Sequence, residues 1–192
     1  MGANSGGPAM ARLPYLDKSD LLPEHRDLLA LNVNLYRILA HSPRATRSIN
    51  TLARYLRDGS QLDARLREMA ILQVGYLMRS AYTFSHHVRI GRNYDLSDDD
   101  IRAVAEETAG RPTNLEPLAK TVLQAAREMT QGKAIAAETF ASLRETLGNE
   151  RVTDLVITIS FYIGLVCLEE SLDLDVEDDY RGYLEEFPLP PG

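Results

Sequence analysis

The stretch LREMAILQVGYLMRSAYTFSHHVRIGR, Leu66–Arg92, decides the predicted fold and carries most of the chemistry. Its first half is apolar at helical spacing and contains one carboxylate, Glu68. The pattern breaks before Ser80, and a second helical run contains the neighbouring His86 and His87. The corner between the two runs is rich in hydroxyl groups, which belong to Ser80, Tyr82, Thr83 and Ser85. A carboxylate, several hydroxyls and two imidazoles this close together predict a pocket.

The composition of the chain excludes several classes of protein. The chain has 192 residues, 44% of them hydrophobic, which is enough for one globular domain. A net charge of −7 argues against nucleic-acid binding and against anionic membranes. No apolar run reaches the ~18 residues that span a bilayer, and the first residues lack a signal-peptide core. A cytoplasmic protein is therefore expected, with no nucleic-acid or membrane partner.

Helical periodicity predicts an all-α helical bundle. Apolar residues recur at i, i+3, i+4 and i+7, and no segment alternates with the period of two that strands require. Ser80 and Ser97 are expected to cap helices, and the three acids after Ser97 suit a helix N-terminus. The predicted helices cover residues 24–31, 34–41, 43–57, 62–78, 81–93, 98–108, 115–131, 137–147 and 151–172. The glycines inside apolar helices, Gly75 and Gly164, are expected to allow close packing.

Both termini are predicted to lie outside the bundle. Residues 1–13 are rich in Gly, Ala and Ser and are expected to be flexible. Residues 14–180 form a single all-α domain in this prediction. Residues 181–192, which end in a proline-rich sequence, are expected to be an extended tail.

Glu68 has two interpretations from sequence. An ion pair with Arg65, three residues earlier on the same helix, would make it structural. A half-buried carboxylate against Leu72 would instead have a raised pKa and could shuttle protons.

The two histidines cannot face one cleft, because adjacent helical residues point about 100° apart. One is expected to face the core or cleft and the other solvent or a neighbouring subunit. Their spacing is poor for a metal, unlike an i, i+4 pair, so no metal site and no cofactor are predicted. A structural histidine and a general acid or base both remain open.

Three arginines, Arg79, Arg89 and Arg92, surround the corner and could be solvated or paired with acids. One of them could instead hold a substrate carboxylate in bidentate fashion. The single cysteine, Cys167, excludes an intramolecular disulfide and is expected to be buried and inert in the most apolar helix.

With these residues in view, the chain resembles the carboxymuconolactone decarboxylase family, which includes the alkylhydroperoxidase D-like proteins. LREMAILQVGYL, the corner and HHVRIG are the segments that match. Redox-active members carry a Glu, then Cys-x-x-Cys, then a His, and this chain keeps Glu68 and His87. Ser80 and Thr83 stand where the two cysteines would be.

The resemblance implies an all-α bundle that assembles into a homo-oligomer (a dimer, trimer or hexamer), with its pocket near a subunit interface. It does not imply peroxidase activity, because a serine or threonine oxygen cannot cycle through a sulfenic acid or a disulfide. Glu68 and His87 would need to share a site, yet ~1.5 Å per residue would separate them by ~28 Å on one continuous helix. The chain must therefore fold back near Ser80.

The function expected from these residues is cofactor-free acid/base chemistry, such as decarboxylation, on a small organic acid or lactone. His87 would supply the proton with support from Glu68, and Tyr82 would join Ser80 and Thr83 in binding the oxyanion. Arg79 would anchor a carboxylate, and His86 is a further substrate-binding candidate. One alternative is a non-catalytic protein, oligomeric or ligand-binding, that kept the fold and lost the chemistry. It predicts that Glu68 and His87 are paired with structural partners and that their pocket has no room for a ligand. The other alternative is a thiol peroxidase.

Overall fold

Eight α-helices build the part of the chain that the computed structural model describes, residues 11–191. The segment 1–13 is predicted to be flexible, and its first ten residues lie outside the described range. The helices are α1 (Asn34–Leu39), α2 (Pro43–Arg54), α3 (Ala64–Leu77), α4 (Ala81–Arg92), α5 (Asp98–Thr108), α6 (Pro117–Gly132), α7 (Ala137–Ser171) and α8 (Asp178–Glu186). Two 3-10 turns, Lys18–Asp20 and Pro23–Leu29, precede them, and the π-helical turn Tyr55–Gly59 follows α2. The all-α prediction is confirmed, with no strand in this range.

The third helix is the centre of the bundle. Every residue from 66 to 75 is buried, and α3 packs against α4, α5, α6 and α7. A helix that is buried on all sides has no polar face to present, which explains why most of its residues are apolar. The few polar side chains that it holds inside, Arg67, Glu68 and Gln73, therefore need partners within the protein.

Helix boundaries follow the sequence signals where the capping side chain is present. Ser80 accepts a hydrogen bond from the Thr83 N–H at 3.0 Å and starts α4 as predicted. Ser97 and Asp100 form the predicted capping box of α5. The predicted start of a helix at residue 115 is wrong, because α6 begins only at Pro117, whose ring suits the first helical position.

The long helix α7 contains the two helices that the sequence predicts, joined at Gly148. This glycine has φ 78° and ψ 170°, a conformation outside the helical region. By length and composition alone α7 could cross a membrane, contrary to the expectation that no apolar run is long enough. It also supplies buried core residues, and its buried Asp154 accepts hydrogen bonds from Tyr55 and Ser60.

The predicted extended C-terminal tail is wrong. Residues 178–186 form α8, which packs against α4, and the following Phe187 is buried in the main core. The guanidinium of Arg92 lies 5.4 Å from the Phe187 ring and 5.5 Å from the Tyr183 ring. The acidic composition suggested a solvated tail, but one face of this segment carries aromatic residues that cover α4.

The two glycines predicted to allow close packing differ in their surroundings. A Cβ at Gly75 would lie 3.3 Å from the Phe84 backbone nitrogen and 3.3 Å from Cγ2 of Thr83, so α3 and α4 touch there as predicted. A Cβ at Gly164 would meet nothing within 4 Å, so the prediction of close packing within the chain is wrong for this glycine.

Substitution by alanine should therefore have opposite effects at these two glycines. Gly75→Ala should lower the free energy of unfolding by about 1 kcal/mol, since overpacking costs about 1–3 kcal/mol and helix propensity returns up to about 1 kcal/mol. Gly164→Ala should raise it by up to about 1 kcal/mol. Urea denaturation of both variants measures this difference, and a stabilised Gly75→Ala protein would contradict the close packing of α3 on α4.

Candidate functional site

The corner between α3 and α4 folds the chain back on itself. Arg79 has φ 56°, in the left-handed region, and Ser80 then starts the next helix. As a result the Glu68 and His87 side chains touch, with Oε2 of Glu68 2.6 Å from Nδ1 of His87. The predicted fold-back is confirmed, and the pair lies within one chain.

This pair opens onto a cavity of about 510 Å³. Its walls are mainly aliphatic and aromatic, and they include Leu35, Tyr36, Tyr94, Phe161, Tyr162 and Leu165. Its polar groups come from α3, α4 and the end of α7, and they include Arg67, Glu68, Thr83, His86, His87 and Glu169. An apolar cavity with a few convergent polar groups is the usual form of a small-molecule site.

Glu68 is held by two cations. Its Oε1 accepts a hydrogen bond from Nε of Arg67 at 3.0 Å, and its Oε2 binds His87. The predicted ion pair with Arg65 is wrong, because Arg65 points the other way and binds Asp100 and Glu116.

The ionisation of Glu68 also differs from the alternative prediction. Burial is nearly complete, with 2% of the residue exposed, and burial alone would raise its pKa. The positive charges and hydrogen bonds of His87 and Arg67 outweigh burial and hold the pKa of Glu68 below its usual value. Glu68 is therefore a fixed carboxylate that orients its partners.

His87 is fixed in one ring orientation. Because a carboxylate only accepts hydrogen bonds, Nδ1 of His87 carries the hydrogen that it donates to Glu68. The ring packs edge-on against Tyr162, with centroids 4.8 Å apart. Nε2 makes no hydrogen bond to any residue in the range 11–191, and His87 lines the cavity. The carboxylate thus leaves the second nitrogen free for a ligand.

The structure adds one group that the sequence interpretation missed, Glu169 near the end of α7. Its Oε2 accepts hydrogen bonds from Oγ of Ser80 at 3.0 Å and from Oγ1 of Thr83 at 2.6 Å. Burial raises the pKa of Glu169 to about 7, although both hydroxyls act to lower it.

A signal for Glu169 was present in the sequence. It continues the core-facing positions of α7 that Leu155, Ile159 and Val166 occupy, at helical spacings of three, four and seven. It was instead grouped with the acidic segment that follows it.

The hydroxyls of Ser80 and Thr83 are thus directed at a protein carboxyl group. The prediction that they bind substrate is untested, but in this structure their hydrogens are already donated to Glu169.

His86 and His87 bind different carboxylates, but both are buried at 8% exposure and both line the cavity, so the prediction that they cannot face one cleft is wrong. His86 does not face solvent, because its Nε2 lies 2.8 Å from Oε2 of Glu177 and its ring stacks between Tyr82 and Tyr180. Burial is the main reason why its pKa is lowered.

Tyr82 lines the cavity, but its hydroxyl is engaged elsewhere. The hydroxyl donates to Oε1 of Glu177 at 3.3 Å and accepts from the backbone N–H of Leu35 at 3.0 Å. Burial, reinforced by the negative Glu177, raises the pKa of Tyr82. Tyr82 and His86 therefore form a polar cluster that ties α4 to α1 and α8.

The predicted carboxylate anchor, Arg79, does not reach the cavity. It is exposed and its Nη1 donates to the carbonyl of Pro191 at 3.3 Å. Arg92 binds Asp98 and Glu186. Two other arginines, Arg57 and Arg67, line the cavity. Arg67 is 3% exposed, and its Nη2 has no hydrogen-bond partner in the described chain.

Cys167 is exposed on α7, contrary to the expectation that it is buried. The apolar stretch around it has an outward face, which the sequence could not distinguish from the core face. Within residues 11–191 no three His, Cys, Asp or Glu side chains are grouped so that they could hold a metal ion.

Comparison with solved structures identifies the fold. The alkylhydroperoxidase AhpD core protein of Ralstonia eutropha, an uncharacterized peroxidase-related protein, is 18% identical, with a TM-score of 0.79 over 96% of this chain and 100% of that one. A peroxidase-related protein of Silicibacter is also 18% identical, with a TM-score of 0.70 over 94% and 97%. The debrominase Bmp8, bound to 2,3,4-tribromopyrrole, is 17% identical, with a TM-score of 0.75 over 90% and 95%. The TM-scores show that the three proteins share the fold of this chain, although the sequence identities are only 17–18%.

Comparison of sequences finds one matching family model. No curated protein matches the chain. Residues 43–128, which run from α2 through α6, match the model of the carboxymuconolactone decarboxylase family. The match contains Glu68, His87 and the corner between them, with Ser80 and Thr83 in that corner. The chain is thus similar to the carboxymuconolactone decarboxylase family over residues 43–128, and this segment contains no cysteine.

Proposed function

We propose that this protein catalyses cofactor-free acid/base chemistry on a small organic acid or lactone, most simply a decarboxylation. The observation that carries the proposal is the bond between Glu68 and Nδ1 of His87, which leaves Nε2 of His87 available at a cavity of about 510 Å³. A carboxylate that fixes an imidazole in this way stabilises its protonated form and aims the other nitrogen.

The charges around the cavity suit an anionic substrate. Arg57 and Arg67 carry two positive charges, and Glu68 carries one negative charge, so the three groups sum to +1. A carboxylate ligand would balance this charge. We assign Arg67 to the anchoring role first given to Arg79, because Arg67 lines the cavity and has an unpaired Nη2.

The reaction then follows from the geometry. The bond between the substrate carbon and its carboxylate breaks, carbon dioxide leaves, and the electron pair passes into an adjacent carbonyl to form an enolate. The proton on Nε2 of His87 is transferred to the carbon, and His87 becomes neutral. Glu68 keeps its charge throughout and holds the ring in place.

Carbon dioxide release from carboxymuconolactone tests the proposal, since the family name indicates this substrate. In D₂O we expect one deuterium on the carbon at which the enolate is protonated, because the exchangeable proton of His87 ends there. Release of carbon dioxide is followed alongside product mass. A protein that binds lactone acids without releasing carbon dioxide would support the alternative of a non-catalytic binding protein. The alternative also predicts a pocket with no room for a ligand, and a cavity of about 510 Å³ argues against that prediction.

Peroxidase activity is expected to be absent. Hydrogen peroxide mixed with the protein and a dithiol reductant should be consumed at the background rate, apart from slow oxidation of the exposed Cys167. Cys167→Ser is the control that removes this residual reaction. Sustained turnover by Cys167→Ser would contradict the argument from the missing thiols.

We also propose that the protein is a cytoplasmic homo-oligomer, a dimer, trimer or hexamer. The support is the outward face of α7, where Ile157 and Ile163 are only partly buried and Cys167 is exposed. A second copy covering this face would remove apolar surface from water.

A further inference from the structure

The carboxyl group of Glu169 is held in one orientation by hydroxyl groups. The Thr83 N–H donates to Oγ of Ser80 at 3.0 Å, so the Ser80 hydroxyl uses its own hydrogen for Glu169. The Thr83 hydroxyl donates to the same oxygen, Oε2. Two donated hydrogens occupy the lone pairs of Oε2. A proton on this carboxyl group therefore belongs on Oε1, which makes no hydrogen bond to any residue from 11 to 191.

Burial favours the protonated form of Glu169 up to about pH 7. Glu169 is 2% exposed, and burial raises its pKa to about 7. Positive charge on His87 acts in the opposite direction, and the nearby Glu170 raises the pKa further. The other titratable groups that interact with Glu169 are the phenols of Tyr82 and Tyr162. None of these groups forms a direct ion pair with Glu169.

Glu169 and His87 line the same cavity from different helices. Glu169 comes from α7, outside the residues that match the family model, whereas His87 comes from α4. A ligand in the cavity can therefore meet an imidazole and a carboxylic acid at the same time.

We propose that Glu169 is a second catalytic residue, which uses Oε1–H to donate a hydrogen bond to the substrate oxygen that becomes negatively charged. This inference rests on the proposed function and assigns the oxyanion role there. When carbon dioxide leaves, the electron pair moves to the carbonyl oxygen and Glu169 stabilises it while keeping its own proton. His87 then protonates the carbon, which returns the electron pair from the oxygen.

Ser80 and Thr83 become positioning residues in this assignment. Their hydroxyls direct the proton of Glu169 to Oε1 and do not themselves touch the substrate. The replacement of two thiols by two hydroxyls is then consistent with an exchange of redox chemistry for a fixed acid.

Infrared spectroscopy of the ligand-free protein tests where the proton is held. The carbonyl stretching band of a protonated carboxylic acid should disappear with a midpoint near pH 7. It should be missing in Glu169→Gln and present in Glu170→Gln, the same change at an exposed neighbour, with a slightly lower midpoint because the charge of Glu170 is gone. Thr83→Val keeps the Ser80 cap and removes one donor, so its midpoint should move upward. An unchanged band in Glu169→Gln would overturn the assignment.

Binding of dinitrophenolate tests the donor role, because this probe stays anionic through the neutral range and carries an oxyanion. Its affinity for the wild-type protein should fall at least about tenfold as Glu169 ionises, since a hydrogen bond to a charged group is replaced by repulsion. Glu170→Gln should show the same fall. Glu169→Gln should bind with no such pH dependence, because an amide donates a hydrogen bond at every pH.

A pH-independent affinity in the wild type, or a persistent fall in Glu169→Gln, would overturn the proposal. Neither the infrared titration nor the binding measurement requires the protein to catalyse a reaction. If carboxymuconolactone is not decarboxylated but both titrations appear as expected, the proposed reaction fails and Glu169 remains a hydrogen-bond donor to anionic ligands.

Discussion

Replacement of His87 by glutamine should reduce the rate of decarboxylation by about 10²–10⁴-fold, the usual contribution of general acid catalysis. Glutamine can donate a hydrogen bond to Glu68, and it keeps much of the volume of the ring. It cannot carry a proton to the substrate carbon. Binding of an anionic ligand should weaken as well, because one positive charge leaves the cavity.

Steady-state assays of carbon dioxide release measure the effect of this substitution. His41→Gln is a matched control, because His41 is exposed, binds the carbonyl of Pro14 and does not line the cavity. Its rate should equal that of the wild type. Full activity in His87→Gln would remove His87 from the mechanism and leave the Glu68–His87 pair with a structural role.

Replacement of Glu68 by glutamine should lower the free energy of unfolding by about 3–5 kcal/mol at neutral pH. The buried Arg67 would lose its only carboxylate partner, and at 3% exposure water cannot replace it. The stabilisation that Glu68 gives the wild-type protein should be complete above its unfolded-state pKa near 4.5. It should then be lost as the pH falls toward the folded-state pKa of Glu68, which is lower.

Urea denaturation with two comparison proteins makes this prediction specific. Glu106→Gln removes the same charge from a surface pair with Arg111 and should change stability little, since exposed ion pairs contribute little. Arg67→Met combined with Glu68→Gln should recover much of the loss, because the unpaired buried charge is then gone. A Glu68→Gln protein as stable as the wild type would contradict the tight pairing in the core.

The local part of the fold could be predicted because its signals lie within a few residues. Ser80 caps α4 and Ser97 caps α5, and each makes its hydrogen bond to a backbone N–H three residues further along the chain. The break that brings Glu68 to His87 follows from such a cap. The C-terminal segment was predicted incorrectly because the acidic composition from residue 169 onward indicated a solvated tail. The aromatic face that covers α4 is visible only once the helix is formed.

The partners of the site residues could not be predicted in the same way. Helical spacing favoured Arg65 as the partner of Glu68. Because α3 is buried on all sides, Arg67 lies in the core and pairs with Glu68 instead. Arg65 forms its ion pairs with Asp100 of α5 and with Glu116. Ser80 and Glu169 are 89 positions apart, and no local pattern connects them. Their contact depends on how α7 packs across the corner.

The helical class and the fold-back at Ser80 could be read from the sequence, because periodicity and capping act over one or two helical turns. The association of Glu68 with His87 was implied by the family resemblance. Only the tertiary structure decided that Arg67 and Glu169 share the cavity, that Arg79 and Cys167 lie outside it, and that α8 belongs to the bundle. Long-range packing sets which side chains are buried together, and burial in turn sets which carboxyl group is ionised and which keeps its proton.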